Sequence, residues 1–139
     1  MNYLLDTCII SELVKPKPYK KVTEWIKNSD EESLYLSVLT IGEIQKGISK
    51  LTDTRRKALL RHWLYNDLRK RFAGRIWPIS EDVAIAWGSL QGTSEIQGLP
   101  IPTIDGLIGA TALVHQCTIV TRNESDLKKT GALIFNPWN

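Results

Sequence analysis

Short apolar runs alternate with stretches of helical spacing along this chain. Residues 2–6, "NYLLD", read as a first strand that ends on a carboxylate. Apolar residues resume at Cys8, Ile9 and Ile10, which predicts a helix from Thr7, placed to cap it, to about residue 14. "KPKP" (15–18) stops that helix, because proline lacks the amide donor and crowds the preceding turn. A second helix over about 18–28 carries Val22, Trp25 and Ile26 on one side. "SLYLSV" (33–38) reads as a second strand, and Ile41, Ile44, Ile48 and Leu51 recur at helical spacing over 39–51.

The same alternation continues to the end. Residues 53–73 predict one long helix that Gly74 terminates, and "RIWPI" (75–79) is a short strand. Ser80 caps the next helix, with Glu81 and Asp82 in its positively polarised first turn. Residues 92–102 are partly loop, although their start can continue that helix. Pro102 suits the opening of "TIDGLIGATALVHQ". "TIVT" (118–121) is a strand, "NESDLKKTG" a turn with a short helix, and "LIFNPW" (133–138) a last strand. Strands that alternate with helices predict an α/β fold with a mainly parallel central sheet of about five strands.

Composition narrows the function classes. The chain has 139 residues, enough for one domain (1–139) with one core. It is 42% hydrophobic and 24% charged, with net charge +3, so nucleic acid is tolerated as a partner but not demanded. No apolar run approaches the roughly 20 residues that span a bilayer, and no signal-peptide pattern opens the chain, so a cytoplasmic location without membrane attachment is expected. Two cysteines, Cys8 and Cys117, and two histidines, His62 and His115, provide neither a disulfide framework nor a zinc-ligand pair. His115 follows an apolar run and reads as core edge.

The candidate chemistry lies in carboxylates. Asp6 follows strand one, and Asn123 and Asp126 follow "TIVT", so two strands deliver oxygen-bearing residues to the carboxyl edge of a parallel sheet, where sites gather. Projection of the 39–51 helix puts Glu43 roughly 120° from the centre of the isoleucine stripe, at the edge of the buried face. Gly47, one turn on, leaves space beside it. Asp105 stands in the first turn of a helix whose next eight residues, "LIGATALV" (107–114), carry no charge. Each acid also has a structural explanation: Asp6 as a cap, Glu43 as solvated surface, Asp105 as a dipole-favouring acid, Asp126 as half of a capping box with Asn123. Crowded carboxylates repel unless protonated or neutralised, and a hard divalent cation such as Mg²⁺ neutralises them through oxygen ligands. Such an ion lowers the pKa of bound water and stabilises a phosphodiester undergoing attack.

At these residues the chain resembles the PIN-domain ribonucleases, especially the VapC-type toxins of toxin–antitoxin pairs in their FitB-like branch. "YLLDTCIISEL" is similar to the family's first block, "SVLTIGEIQKGI" to its second, and "IDGLIGATALVHQCTIVTRNESDL" to its third, with the T-x-N-x-x-D element at Thr121, Asn123 and Asp126. "IFNPW" resembles the FitB-like tail. The resemblance implies a three-layer α/β/α sandwich and an endoribonuclease that hydrolyses RNA through metal-activated water. Asp6, Glu43, Asp105 and Asp126 would be its catalytic, Mg²⁺- or Mn²⁺-binding acids, and Thr7 and Asn123 would orient ligands or substrate. It also implies a cognate antitoxin, a homodimer that can join a hetero-oligomer with that antitoxin, and tRNA or rRNA as substrate. Two departures are visible: Cys8 stands where small polar residues are common, and Leu127 where phenylalanine is frequent.

The 53–73 helix carries Arg55, Arg56, Lys57, Arg61, Arg69, Lys70 and Arg71 against Asp53 and Asp67, with His62, Trp63, Tyr65 and Phe72 interleaved. An amphipathic helix with a solvated basic face and a core-facing aromatic side explains this pattern. The alternative is a phosphate-holding surface, with Arg55, Arg56 and Arg61 as candidate RNA contacts, joined by Lys15 and Lys17 near strand one. Rival enzymes fit less well. "DTC" lacks the second acid of a phosphoacceptor receiver or of a D-x-D-x-T phosphatase, and no glycine-rich phosphate loop is present. A binding module of the same fold without catalysis remains the alternative of a different class.

Overall fold

The structure, a computed structural model, describes residues 1–139. Five parallel strands form one sheet in the order β3-β2-β1-β4-β5: β1 Tyr3–Leu5, β2 Leu34–Ser37, β3 Ile76–Trp77, β4 Thr118–Val120 and β5 Ile134–Phe135. The chain builds outward from β1 to β2 and β3, then returns to place β4 on the other side of β1. That reversal opens a crevice beyond the carboxyl ends of β1 and β4, the position that open parallel sheets offer to ligands.

Side-chain alternation along the strands divides the core into two layers. On one face, Leu5, Leu36 and Val120 pack with Ile9 and Ile10 of α1 (Thr7–Leu13), Val22 and Ile26 of α2 (Lys20–Asn28), and Ile48 of α3 (Val38–Ser49). The basic helix completes this layer through buried Leu64, Leu68 and Phe72. On the other face, Leu4 and Ile119 pack with Ile108 and Ala112 of α7 (Thr103–His115) and Leu127 of α8 (Glu124–Lys128). Outside α7 lies α6 (Glu81–Ile96). The result is the three-layer α/β/α sandwich that the resemblance implies.

Several boundaries differ from expectation, each for a local reason. Asp6, not Thr7, is the residue before α1, and its carboxylate accepts from the Thr7 N–H at 2.9 Å. Helix α2 starts at Lys20, two residues after Pro18, rather than at 18. Ser33 closes a 3₁₀ turn, and Ser37 ends β2 while its hydroxyl caps α3 through the Leu39 N–H. The 53–73 helix comprises α4 (Thr54–His62), a π-helical stretch Trp63–Leu68, and α5 (Arg69–Arg71). The wider π-turn brings Leu64, Leu68 and Phe72 onto the sheet while Tyr65 stays exposed. Helix α6 runs on to Ile96, as the start of 92–102 allowed, which leaves the loop to the second half of that segment. Strand β5 spans two residues, not six, because the tail turns at Asn136, whose Oδ1 accepts from the Trp138 N–H at 2.9 Å.

Arg75, just before β3, is buried although the sequence marks it only as a strand start. Its guanidinium donates to the carbonyls of Glu31 and Leu34, each at 2.6 Å, and pairs with the Glu31 carboxylate at 3.1 Å. His115 stacks on Trp77, with ring centroids 4.0 Å apart, and Trp77 stacks on Tyr35 at 4.1 Å. Burial lowers the His115 pKa, consistent with the core-edge role expected for it.

Candidate active site

Beyond the carboxyl ends of β1 and β4 lies an open cavity of about 480 Å³, lined by Asp6, Thr7, Cys8, Glu43, Asp105, Arg122 and Asn123. Three of the four predicted acids thus face one space from three elements: the end of β1, helix α3 and the first turn of α7. Asp126, in the first turn of α8, stands outside this lining and pairs with Lys129 at 3.2 Å. Its charge nevertheless reaches the cavity. The Asp105 carboxyl is held above its ordinary pKa by burial first, then by the charges of Asp6, Asp126 and Glu43. All four acids are therefore electrostatic neighbours, with Asp105 at the point where their fields meet.

Hydroxyl groups fix two of these carboxylates. Thr7 Oγ1 donates to Glu43 Oε1 at 2.6 Å, and Thr121 Oγ1 donates to Asp6 Oδ2 at 2.8 Å. Thr121 is fully buried and its oxygen also accepts from the Asn123 N–H at 2.9 Å. Buried Thr40 lies behind Thr7, 3.4 Å between hydroxyl oxygens. The Asp6 backbone N–H donates to the Val120 carbonyl at 3.0 Å, which ties the loop after β1 to β4. Cys8 Sγ lies 3.6 Å from Thr121 Oγ1, and burial followed by the Asp6 charge raises its pKa, so it is packed as a thiol rather than poised as a thiolate.

The donor set suits a hard cation. It consists of carboxylate oxygens with hydroxyls behind them, and no histidine or available thiolate competes. Asp105 supports the same fit: burial first and like charges second raise its pKa, and a cation in the cavity would offset the charge part. No three His, Cys, Asp or Glu side chains form a ready-made group at ligating spacing. The acids share a cavity, but their side chains are not closed into a cage.

The other predicted positions divide. Asn123 precedes α8 without a side-chain capping bond, and its residue is exposed at the cavity rim. A second cavity, about 290 Å³, shares Thr7 and Glu43 with the first and is rimmed by Lys15 and Arg56 over Ile44, Leu60 and Trp63. Arg55, Arg61 and Lys17 are exposed and line neither cavity. Lys15 is partly engaged, pairing with buried Glu12 at 2.9 Å.

The sequence pattern of the PIN domain matches residues 3–133. The chain belongs to the PIN-domain family. Toxin FitB of Neisseria gonorrhoeae is 35% identical over 136 residues, covering 98% of each chain. A VapC ribonuclease, Y4jK, of Sinorhizobium fredii is 33% identical over 135 residues, covering 97% of this chain and 96% of that one. In the crystal structure of FitAcB from Neisseria gonorrhoeae, one chain superposes with a TM-score of 0.93 at 34% identity, covering 99% of each.

Within this PIN domain, sequence reasoning overlooked three residues near the acids. Thr121 was visible in the T-x-N-x-x-D element, yet only the fold shows its hydroxyl on Asp6. Arg122 lines the cavity, and Trp138 lies beneath its guanidinium, with Cζ 4.3 Å from the ring centroid. A basic residue between Thr121 and Asn123 was the available signal for Arg122. Nothing in the spacing links it to a tryptophan sixteen positions later.

Proposed function

We propose that this PIN domain is a Mg²⁺-dependent endoribonuclease toxin, acting on RNA phosphodiester bonds and restrained by a cognate antitoxin protein. The observation that carries the reading is the open cavity that Asp6, Glu43 and Asp105 line from three separate elements beyond the carboxyl ends of β1 and β4. Relatives named toxin and ribonuclease over nearly the whole chain support it. A FitAcB complex among the similar structures supports a protein partner.

In this reading Asp6, Glu43 and Asp105, which line the cavity, would hold the cation, with Asp126 as the fourth acid contributing from outside the lining. Bound Mg²⁺, or Mn²⁺ in its place, supplies Lewis-acid charge and a water of lowered pKa. Thr7 Oγ1 fixes Glu43 through one oxygen, while the Thr7 N–H and Thr121 Oγ1 each hold one oxygen of Asp6, so both carboxylates are oriented at the cavity wall. Asn123 orients substrate at the rim. Lys15 and Arg56 sit where an RNA backbone leaving the acidic cavity would pass, with Arg55, Arg61 and Lys17 adding to the field around it. The active species is a cytoplasmic homodimer that the antitoxin converts into a hetero-oligomer.

The test is cleavage of total tRNA and rRNA by the purified protein, with Mg²⁺ and with EDTA, beside the Asp6→Ala variant. Discrete fragments are expected only with the wild type and the metal. The variant should fold and lose at least about a hundredfold in rate, since it removes a cation ligand. Folded, partner-free wild type that leaves every RNA intact would mark a binding module instead.

A further inference from the structure

The tail after β5 has no part in the reading above, yet its Trp138 lies beneath Arg122, which lines the acidic cavity. Asn136 anchors it, donating from Nδ2 to Glu124 Oε2 at 2.9 Å while its Oδ1 accepts from the Trp138 N–H. The Trp138 ring packs against the core layer that contains α1, and its buried Nε1 makes no hydrogen bond, so apolar packing sets its position. The Arg122 guanidinium lies over that ring, 4.3 Å from Cζ to centroid.

Arg122 lines the same cavity as Asp6, Glu43 and Asp105, but the six ion pairs of the chain do not include it. Its backbone is fixed, N–H to Cys8 Sγ at 3.5 Å, directly after the threonine that donates to Asp6. An arginine beside three carboxylates would ordinarily collapse onto one of them. Stacking on an indole offsets part of its charge and holds the planar fork away, leaving its N–H donors free.

We propose that Arg122 is a phosphate anchor for the RNA strand at the edge of the acidic cavity, with the Asn136–Trp138 turn serving to hold it. The assignment rests on the nuclease reading of the cavity. A polyanion approaching carboxylates is repelled, and a guanidinium presented beside them offers bidentate contact to a phosphate next to the one attacked. Trp138 acts through Arg122 and is a positioning residue.

The experiment measures binding of a fluorescein-labelled oligouridylate by anisotropy in EDTA across a salt series, using purified full-length protein. Arg122→Ala should weaken binding about tenfold and reduce the slope of log affinity against log salt by about 0.7, the loss of one phosphate contact to a single strand. Arg122→Lys should keep the slope and recover only part of the affinity. Trp138→Ala should weaken binding in the wild-type background and have no further effect in Arg122→Ala, and Trp138→Phe should restore it. If Trp138→Ala does not fold, exposed Arg122 carries the test alone. Cleavage kinetics separate the two readings: with Arg122→Ala, KM should rise with kcat little changed. Metal-dependent cleavage with unaltered KM and binding overturns the anchor and leaves the nuclease. Intact RNA in all lanes with Arg122-dependent binding overturns the nuclease and leaves the anchor. Wild type that does not bind the oligonucleotide also overturns the anchor.

Discussion

Thr7 and Thr121 each donate a hydroxyl proton to a carboxylate far away in sequence, Thr7 to Glu43 and Thr121 to Asp6. These bonds turn scattered acids into an oriented set, and the sequence could name the acids but not the bonds. By sequence Thr7 is a helix cap; in the fold Asp6 takes that role, so the threonine side chain is released toward α3. Thr7→Val preserves shape and removes the donor. It should leave the fold intact and lower the cleavage rate about tenfold to a hundredfold, read by single-turnover kinetics. Glu12 gives a second prediction. This buried acid accepts from Lys15 Nζ and from the Tyr19 N–H at 2.8 Å, and these bonds, Lys15's first, hold its pKa below the ordinary 4.5. A depressed folded pKa contributes stability above the unfolded value, lost as pH falls through the folded one. Glu12→Gln should therefore be less stable than wild type near neutrality, and that deficit should shrink as pH falls below about 4.5, followed by urea unfolding at each pH.

Among the elements, α7 shows why small residues alternate with large ones beside the site. Gly109 faces Thr130 so closely that an added Cβ would lie 2.4 Å from its side chain. Thr130 cannot withdraw easily, because it is buried and its hydroxyl donates to the Leu127 carbonyl at 2.6 Å. Gly109→Ala should cost about 1–3 kcal/mol and push α8, which carries Asp126, away from α7. Gly88 in α6 is the contrast: it is exposed, and a Cβ added there would meet nothing within 4 Å, so Gly88→Ala should stabilise by about 0.5–1 kcal/mol. Thermal unfolding of the two variants should move in opposite directions. The uncharged run 107–114 predicted burial on most sides correctly, since its periodicity reflects two neighbours rather than one. The 53–73 helix was legible in extent but not in its π-turn, which arises from fitting Leu64, Leu68 and Phe72 to the sheet and leaves no local mark.

Across the whole molecule, the topology explains why an acid after strand one meets a threonine after strand four. Strand alternation and the carboxyl-edge rule were enough to place the site, because a parallel sheet sends every β-to-α turn to one edge. They could not decide how near Asp126 would come, since a short helix in its own turn sets that position through Lys129 and the packing of Leu127. The fold is consequently under electrostatic load at that edge. A raised folded pKa for Asp105 means that the native state holds a proton more tightly than the unfolded chain. Its penalty is absent below the unfolded value near 3.8, grows as pH rises from there toward the folded value, and is complete above it. At neutral pH without divalent cation, Asp105→Asn should therefore unfold at a higher temperature than wild type. Mg²⁺ should raise the wild-type midpoint, adding about 2.7 kcal/mol of stability at a concentration a hundred times its dissociation constant, and raise that of Asp105→Asn much less. Equal shifts in both proteins would place the cation elsewhere than the cavity formed by Asp6, Glu43 and Asp105.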